Sequence, residues 1–546
     1  MQLDLASNPL TPCDRTMSIK PKGVDEDLAN VVTLEEGDVL DPKQDADAAV
    51  LAANGHEAVM RRSFSWLAAL GLGFSITNSW VGYLSCFGQN LNYVGPAAVI
   101  FGLLAAFFCQ GFVSLGLAEL ASAFPSSGGQ YHFVYVLSTE KTKRFAAYIV
   151  GWTSVLAWWT VTCSGLSLAA ITISGIANFW HPQWTATSWQ TYLIYVAVCC
   201  STILPLFITP RKIPFLLQCT LFLSIIGCVM FLITTCVMHE ETQPASYLTQ
   251  PGLGVSGWST SAAWLLAISN GMYAYGGTDG AIHISEEIIN PGRRVPQVMI
   301  ATMMLGLGTT LPLFIPLMLF ITDLDAVRSS PLPSIELVYQ STGSRAVTTF
   351  LMVWLWLVYM GSLPAQWVTA GRIAWAFARD HGTPFPAYFT HVSPRLHFPV
   401  RSTLAALTFA LLYGLLYLAS TTAFNSIITS AVLFLNLSYA IPQGILLVRG
   451  RKRMLPTRYL SLGWFGAWCN VFAVVWTAIL TVIICFPPSL PVSVEAMNYT
   501  SVVLVGMVLI VLGLWVGVGR KKFQGPRISW EMLEEANRLA RGKRSD

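Results

Sequence analysis

Long apolar stretches alternate with short polar connections along the chain from residue 64 to residue 519. An α-helix needs about 20 predominantly apolar residues to cross the hydrocarbon core of a bilayer, and these stretches are of that order. The pattern predicts twelve membrane-spanning helices, numbered here as spans 1 to 12, near residues 64–86, 95–122, 143–174, 190–209, 213–238, 260–284, 296–321, 346–378, 401–420, 424–447, 462–486 and 499–519.

The positions of lysine and arginine test this count, because positive charge in short loops stays on the cytoplasmic side. With twelve spans and a cytoplasmic N-terminus, only Arg328 and Arg345 of the 32 basic residues fall on the outer side. A missed span would reverse every later loop and destroy this partition. We therefore predict an all-α membrane protein of the plasma membrane, with both termini in the cytoplasm.

Composition agrees with a membrane protein and divides the chain into three parts. Hydrophobic residues make up 54% and charged residues 11%, whereas soluble domains carry roughly 25% charged residues. Residues 1–60 contain twelve acidic and four basic residues and are predicted to be a disordered acidic cytoplasmic tail. The twelve-span domain covers 61–520, and 521–546 form a basic, amphipathic cytoplasmic tail. The basic excess lies in short loops, so no nucleic-acid partner is implied.

Glycine and polar residues interrupt span 1 between Gly71 and Gly82 and span 6 between Asn270 and Gly280. Irregular backbone at membrane depth is tolerated where it lines a cavity. The two spans are five apart and therefore cross in opposite directions, as the broken helices of inverted repeats do in many secondary transporters. We predict that they form a substrate site from Ser75, Thr77, Asn78, Trp80, Tyr273, Tyr275, Gly276, Gly277 and Asp279. The alternative is that the glycines only allow close helix packing.

Two acidic residues, Glu119 and Asp279, lie within apolar surroundings, where a lone charge costs at least about 2.5–3.5 kcal/mol. Asp279 follows the break in span 6 and could face a cationic substrate, a coupling ion or a proton, or could cap the half-helix that follows it. The aromatic residues Trp80, Tyr273 and Tyr275 flank the breaks. They could hold an amine by cation–π contact or act as a steric gate. Weaker aromatic candidates lie in spans 3 and 8: Trp158, Trp159, Trp354, Trp356 and Tyr359.

The segment from Ala118 to His132 reads AELASAFPSSGGQYH and resembles a signature of the amino acid–polyamine–organocation transporters, in the form found in the fungal amino acid/choline branch. The segment SEEIINP at 285–291 agrees with it. The resemblance implies five-plus-five inverted repeats with two additional helices, and substrates such as choline, γ-aminobutyrate and other amino acids. It also implies unwound backbone at 75–79 and 273–277, and a cytoplasmic gate formed by Glu119, Pro125, Gly128, Gly129 and Tyr131.

The resemblance leaves the coupling ion open between H⁺ and Na⁺. Some proton-coupled relatives carry a lysine deep in span 5, but here Lys212 lies at the inner edge and residues 215–236 contain no basic residue.

Secondary transport of a small amine-bearing solute by alternating access is the leading hypothesis. An exporter of an amine or alkaloid metabolite and a non-transporting nutrient sensor remain alternatives. An enzyme is not expected because the eight histidines are scattered, and neither a cofactor nor a metal site is predicted. Asn498 begins an N-glycosylation sequon on the outer side.

Overall fold

The computed structural model describes residues 51–53, 55, 59–60, 62–419, 421–493, 497–526 and 528–529, with only the backbone for residues 419 and 421–429. The predicted acidic tail lies mostly outside these residues. So does the predicted amphipathic helix at 528–540, apart from its first two positions.

Within the described residues, ten unbroken helices are long and apolar enough to cross a membrane. Their bounds are Ala98–Ala123, Lys143–Trp180, Ser188–Ile208, Pro210–Met238, Pro291–Leu319, Arg345–Arg379, Val400–Leu418, Ser430–Arg449, Gly463–Ile483 and Thr500–Lys522. The helix of span 10 itself starts earlier, at Thr421. These ten correspond to every predicted span except 1 and 6. The all-α membrane fold predicted from the hydrophobic pattern is confirmed.

Spans 1 and 6 are absent from that set because each is divided. Span 1 consists of Trp66–Thr77 and Ser79–Tyr93. Span 6 consists of an α-helix, Thr260–Gly271, followed by two 3₁₀ segments, Met272–Tyr275 and Thr278–Glu287. The two spans whose glycine and polar residues predicted a break are therefore the two that break.

Contacts between the halves show the relative direction of the two broken spans. The first half of span 1 packs on the last part of span 6, and the second half of span 1 packs on the first part of span 6. At one end, the backbone N–H of Phe64 donates to the carbonyl of Glu287 at 3.1 Å. Spans 1 and 6 therefore run antiparallel and adjacent, as an inverted repeat requires.

The unwound part of span 1 is shorter than the resemblance implies. Ser75 and Thr77 lie in regular α-helix, and the only interruption is Asn78. The expectation of unwound backbone throughout 75–79 is therefore wrong, because a single residue with positive φ is enough to end one helix and start the next.

Some of the glycines in these spans do serve packing. A Cβ atom on Gly71 would lie 2.7 Å from the carbonyl oxygen of Leu217 in span 5, and one on Gly73 would lie 2.8 Å from the Thr302 hydroxyl in span 7. Small residues allow this close approach where helices meet in a membrane. The packing explanation thus holds for Gly71 and Gly73, before the break.

The packed domain extends beyond both predicted boundaries. Ala53 and Met60 are buried ahead of residue 61, and Phe523 is fully buried after residue 520. Phe523 packs on the rings of Tyr148 and Phe377. The described chain ends therefore contribute to the core at the predicted cytoplasmic face.

Candidate functional site

Two backbone interruptions face each other in the middle of the antiparallel pair. Asn78 has φ 29° and ψ 58°, a conformation that asparagine tolerates better than most residues. In span 6, Gly276 is extended, and Gly277 has φ 78°, a left-handed conformation that glycine adopts without penalty. Both interruptions leave backbone polar groups outside regular helical bonding.

A cavity of about 40 Å³ lies between these interruptions. One water molecule needs about 10–15 Å³ of such space, so the cavity holds roughly three water molecules. The wall includes no Asp, Glu, Lys, Arg or His among the described residues. Its lining residues are Ser75, Ile76, Thr77, Asn78, Gly82, Val161, Gly165, Leu168, Tyr273, Gly276, Tyr359, Ser362, Leu363, Gln366, Ala431, Val432 and Leu435.

Hydrogen bonds fix the position of Asn78 in this wall. Its side-chain nitrogen donates to the Ser362 hydroxyl of span 8 at 3.0 Å, and its side-chain oxygen accepts from the Ser224 hydroxyl of span 5 at 2.8 Å. The break in span 1 is thereby tied to two neighbouring spans. An asparagine carries both a donor and an acceptor, so one side chain makes both contacts.

Other polar groups in the wall differ in how they are paired. The Tyr273 hydroxyl bonds to the Ser164 hydroxyl at 2.9 Å, and the Tyr359 hydroxyl bonds to Ser85 at 2.7 Å. By contrast, Ser75 Oγ and Gln366 Oε1 are buried with no hydrogen-bond partner in the protein. Buried polar atoms are rarely left unpaired, so these two are suited to bind a solute.

Five of the nine predicted substrate-binding residues line the cavity: Ser75, Thr77, Asn78, Tyr273 and Gly276. The other four do not. Trp80 is fully buried and donates from Nε1 to the Ser224 hydroxyl at 2.9 Å. Tyr275 packs edge-on against Phe107.

Gly277 contacts Ile76 and Trp158 rather than the cavity. Side chains next to a break extend in several directions. Choosing residues by their proximity in sequence to the break therefore assigned too many of them to the pocket.

Sequence reasoning named Tyr359 of span 8 only as a weaker aromatic candidate and missed the other contributions of spans 3, 8 and 10. Tyr359, Ser362 and Gln366 of span 8 and Gly165 of span 3 line the same cavity. Tyr359, Ser362 and Gln366 follow an i, i+3, i+7 spacing, which places these three polar residues on one face of the helix. That spacing is a signal that the sequence does contain.

Asp279 is fully buried in a hydrogen-bonded cluster below the cavity. Its Oδ2 accepts from Gln130 Nε2 at 2.6 Å and from Trp158 Nε1 at 3.1 Å, and its Oδ1 accepts from the Tyr439 hydroxyl. His283 Nε2 lies 3.1 Å from the same Oδ2. The carboxylate is therefore held by side chains of other elements and by His283 of its own. It does not line the cavity, and no side-chain cap bond forms at the start of its segment; a role toward a coupling ion or a proton stays a prediction.

The segment 125–131 after span 2, the predicted gate, packs against the end of span 6. The backbone N–H of Ser127 donates to Glu286 at 3.1 Å. The Tyr131 hydroxyl donates to Asp380 at 2.9 Å, and burial raises the pKa of this carboxyl to about 6, against the lowering effect of Arg379. Pro125 is buried in the same segment.

The two glycines of this segment fit its close packing. A Cβ atom on Gly128 would lie 2.7 Å from the Tyr131 hydroxyl. Gly129 has φ 58° and would meet the His283 ring at 3.0 Å. Both positions therefore exclude larger side chains.

Glu119 lies elsewhere and does not join this gate segment. Its carboxylate binds Arg451 and Arg458 in the connection between spans 10 and 11. The backbone N–H of Leu462 also donates to it at 3.2 Å. The two arginines that anchor this connection explain its burial, and its predicted role in the cytoplasmic gate stays a prediction.

Two buried ion pairs at the end of span 6 were not predicted. Glu286 binds Arg379 through two contacts of 2.8 and 2.9 Å, and Glu287 binds Arg372 through contacts of 2.8 and 3.2 Å. Both arginines belong to span 8. Bidentate geometry makes these pairs strong and directional, so they fix span 8 to span 6 at the predicted cytoplasmic face.

The side chain of Asn498, the acceptor residue of the sequon, is hydrogen-bonded within the protein. The side-chain nitrogen of Asn498 donates to the carbonyls of Ile484 and Phe486 at 2.7 and 2.9 Å, and Thr500 is fully buried. These contacts argue against glycosylation, which stays a prediction.

Two antiparallel broken helices that enclose a cavity between them define a secondary transporter of the inverted-repeat class. Comparisons with known proteins agree, and residues 64–510 match the amino acid permease family. The chain belongs to the amino acid permease family. It is a membrane transporter rather than an enzyme.

Similar proteins include several named transporters. The chain is 30% identical to a choline transporter of Saccharomyces cerevisiae, over 89% of this chain and 86% of that protein. It is 26% identical to a 7-keto 8-aminopelargonic acid transporter of the same yeast, over 82% of this chain and 90% of that protein. It is 25% identical to a swainsonine transporter of Arthroderma benhamiae, over 87% of this chain and 95% of that protein.

Proposed function

We propose that the protein carries choline or a small amino acid across the plasma membrane by alternating access. The observation that supports this most directly is the cavity between the two breaks, where Tyr273 and Tyr359 form part of a wall without charged side chains. Aromatic faces attract ammonium groups, by about 2 kcal/mol or more when water is excluded. The yeast relative named as a choline transporter supports the same substrate.

The remaining polar groups suit the rest of such a solute. Ser75 Oγ and Gln366 Oε1 can accept hydrogen bonds from a hydroxyl or a primary ammonium group. The helix that starts at Ser79 presents its N-terminus at the break, where a carboxylate is stabilised by the helix dipole. A zwitterionic amino acid or a choline hydroxyl can therefore be oriented in the same cavity.

Alternating access would use the two breaks as hinges. The halves of spans 1 and 6 that pack together move as pairs, and the segment 125–131 closes the predicted cytoplasmic side. Either H⁺ or Na⁺ would supply the driving force as the coupling ion. A solute would enter from the outside, occupy the cavity and leave when the segment 125–131 separates from span 6.

The charge distribution supports two cytoplasmic termini. We expect a protease-cleavable tag at either terminus to be cut in inside-out membrane vesicles and to be protected in intact cells. A tag inserted next to Arg328, in the connection between spans 7 and 8, should behave in the opposite way. Cleavage of either terminal tag in intact cells would contradict the proposed orientation.

Uptake of radiolabelled solutes into proteoliposomes tests the proposed substrate. We expect uptake of choline, γ-aminobutyrate or a basic amino acid by the wild-type protein, measured with and without gradients of pH and Na⁺. Tyr273→Ala and Tyr359→Ala should each weaken the apparent affinity for an ammonium solute about 30-fold, which corresponds to about 2 kcal/mol.

A tyrosine outside the cavity provides the matched control. Tyr388 is exposed and lies over Arg401, so Tyr388→Ala should keep the wild-type affinity. Equal affinities in the two cavity variants and the control would remove the aromatic wall from recognition. Wild-type protein that moves none of these solutes would favour the alternatives: an exporter of an amine metabolite, as the named swainsonine transporter suggests, or a nutrient sensor.

A further inference from the structure

The imidazole of His283 lies between two hydrogen-bond acceptors. Its Nε2 is 3.1 Å from the Asp279 carboxylate and its Nδ1 is 3.1 Å from the backbone carbonyl of Ser127. Both His283 and Asp279 are fully buried. A neutral imidazole donates from one nitrogen only, so with Asp279 as the acceptor at Nε2, both contacts are hydrogen bonds only when the ring is doubly protonated.

Donors surround the side chain of Asp279. Gln130, Trp158 and Tyr439 all direct N–H or O–H groups at its two oxygens, so this side chain acts as an acceptor toward three neighbours. The fourth neighbour of this acceptor is the imidazole of His283, whose Nε2 can donate in the same way.

Three other buried carboxylates of the region have arginine partners. Glu286 binds Arg379, Glu287 binds Arg372, and Glu119 binds Arg451 and Arg458, and arginine stays charged at any pH a cell reaches. The partner of Asp279 is instead an imidazole, which has a neutral and a protonated form. A further buried carboxyl, Asp380, bonds to Tyr131 of the gate segment, and burial raises its pKa to about 6.

The elements packed around the end of span 6 carry further titratable or charged groups. They are Arg372 and Arg379 of span 8 with Asp380 directly after it, Glu119 of span 2, Arg293 and Arg294 at the start of span 7, Tyr439 of span 10, Tyr148 of span 3, and Tyr131 and His132 of the helix Gln130–Leu137, with Glu286 and Glu287 on the same element. The first half of span 1, Trp66–Thr77, contributes none.

We propose that His283 is the proton-coupling site of the transporter and that its protonation holds the segment 125–131 against span 6. This proposal rests on the proposed transport function. When the imidazolium releases its Nδ1 proton to the cytoplasm, the neutral ring keeps the stronger bond, from Nε2–H to the Asp279 carboxylate. The contact with the Ser127 carbonyl is lost, and the gate segment is released on that side.

The position of the pair links this proton to the substrate cavity. Asp279 lies three residues after Gly276, which lines the cavity. Gln130, the first residue of the helix that begins within the gate segment, binds the carboxylate of Asp279. Loss of the positive charge leaves a buried carboxylate with neutral donors only, which is costly in a membrane. Proton release therefore drives rearrangement of the region that joins the cavity to the gate.

A solute-free experiment tests the site independently of the substrate. Hydrogen–deuterium exchange of peptides covering 125–131 is measured by mass spectrometry on purified protein between pH 5 and pH 8, after correction for intrinsic exchange rates. Every protein compared carries Asp380→Asn, because burial raises the pKa of the Asp380 carboxyl to about 6 and this carboxyl bonds to Tyr131 within the same peptide. With His283 unchanged, protection should be high at low pH and should fall as the pH rises. In His283→Gln, which keeps a donor but does not titrate, protection should not depend on pH.

His132→Gln is the matched control, because His132 is also buried and belongs to the helix that follows the gate segment. Burial, and secondarily Arg379, lowers the pKa of His132 to about 3, so it stays neutral in this pH range. The His132 variant should therefore keep the pH dependence of the protein that carries Asp380→Asn alone. A pH-dependent change that persists in His283→Gln, or that disappears in His132→Gln, would overturn the proposal.

A second measurement examines coupling in proteoliposomes that hold the membrane potential at zero. For one proton per solute, an inward gradient of one pH unit supports about tenfold accumulation of labelled choline. With His283→Gln, the accumulation ratio should fall to about one, while exchange of labelled for unlabelled choline continues. Wild-type accumulation in the variant would refute coupling through His283. Absence of choline transport in the wild type would refute that substrate. The hydrogen–deuterium exchange test of His283 would remain valid.

Discussion

Replacing Arg372 with methionine is expected to destabilise the folded protein by about 3–5 kcal/mol, because it leaves the Glu287 carboxylate buried without its partner. Both side chains are about 7% exposed, and they share two hydrogen bonds between spans 6 and 8. In detergent, the apparent Tm should fall by roughly 5–10 °C. The Tm is measured by size-exclusion chromatography of samples heated to a series of temperatures.

Two controls separate loss of the ion pair from loss of charge. Removing both partners, with Arg372→Met and Glu287→Met together, should restore most of the stability, since a buried ion pair is often replaceable by apolar side chains. Lys452→Met removes an exposed positive charge and should change the Tm little. A double variant no more stable than Arg372→Met alone would contradict the assignment.

Substituting alanine for Gly277 should also have a large effect, on both folding and transport. The positive φ of 78° costs a non-glycine residue about 1–2 kcal/mol. The new Cβ atom would additionally lie 2.7 Å from Ile76 Cγ2, and overpacking of this kind costs about 1–3 kcal/mol. We expect a lower Tm and at least a tenfold loss of uptake, because relief of the clash displaces span 1 from the break in span 6.

The neighbouring glycine is the matched control for this substitution. Gly276 has a φ of −70°, and the nearest atom to its Cβ would be the Tyr273 carbonyl oxygen at 3.6 Å, an ordinary contact. Gly276→Ala should therefore leave the Tm unchanged. Equal thermal stability of the Gly276 and Gly277 variants would show that the left-handed conformation is not what holds the break open.

Much of the architecture follows from local features of the chain. Helix length and loop charge identified the spans, and the bounds of span 8 differ from prediction by one residue at each end. The glycine-rich interruptions located both breaks because broken backbone needs residues that tolerate unusual dihedral angles. The segment 118–132 identified the family before any contact was known.

The composition of the site was less accessible from sequence. Trp80 and Tyr275 flank the breaks but point into neighbouring spans, whereas Tyr359 and Gln366 come from a span with no break. Span 8 does carry Tyr359, Ser362 and Gln366 on one face, but without a break in this span nothing local indicates that the face meets spans 1 and 6. Lateral packing among spans 1, 3, 6, 8 and 10 selected the lining residues.

Charge pairing shows the same division between local and long-range information. The sequence marked Glu119 and Asp279 as buried carboxylates because their neighbours are apolar, and burial requires compensation. It did not identify their partners, since Arg451 and Arg458 are more than 300 positions from Glu119, and Tyr439 is 160 positions from Asp279. The sequence by itself determined that this is a multi-span transporter with two broken helices, because hydrophobic length and backbone tolerance are local properties. Only the tertiary structure decided which side chains face the cavity and which charges meet, because those contacts form between segments that are distant along the chain.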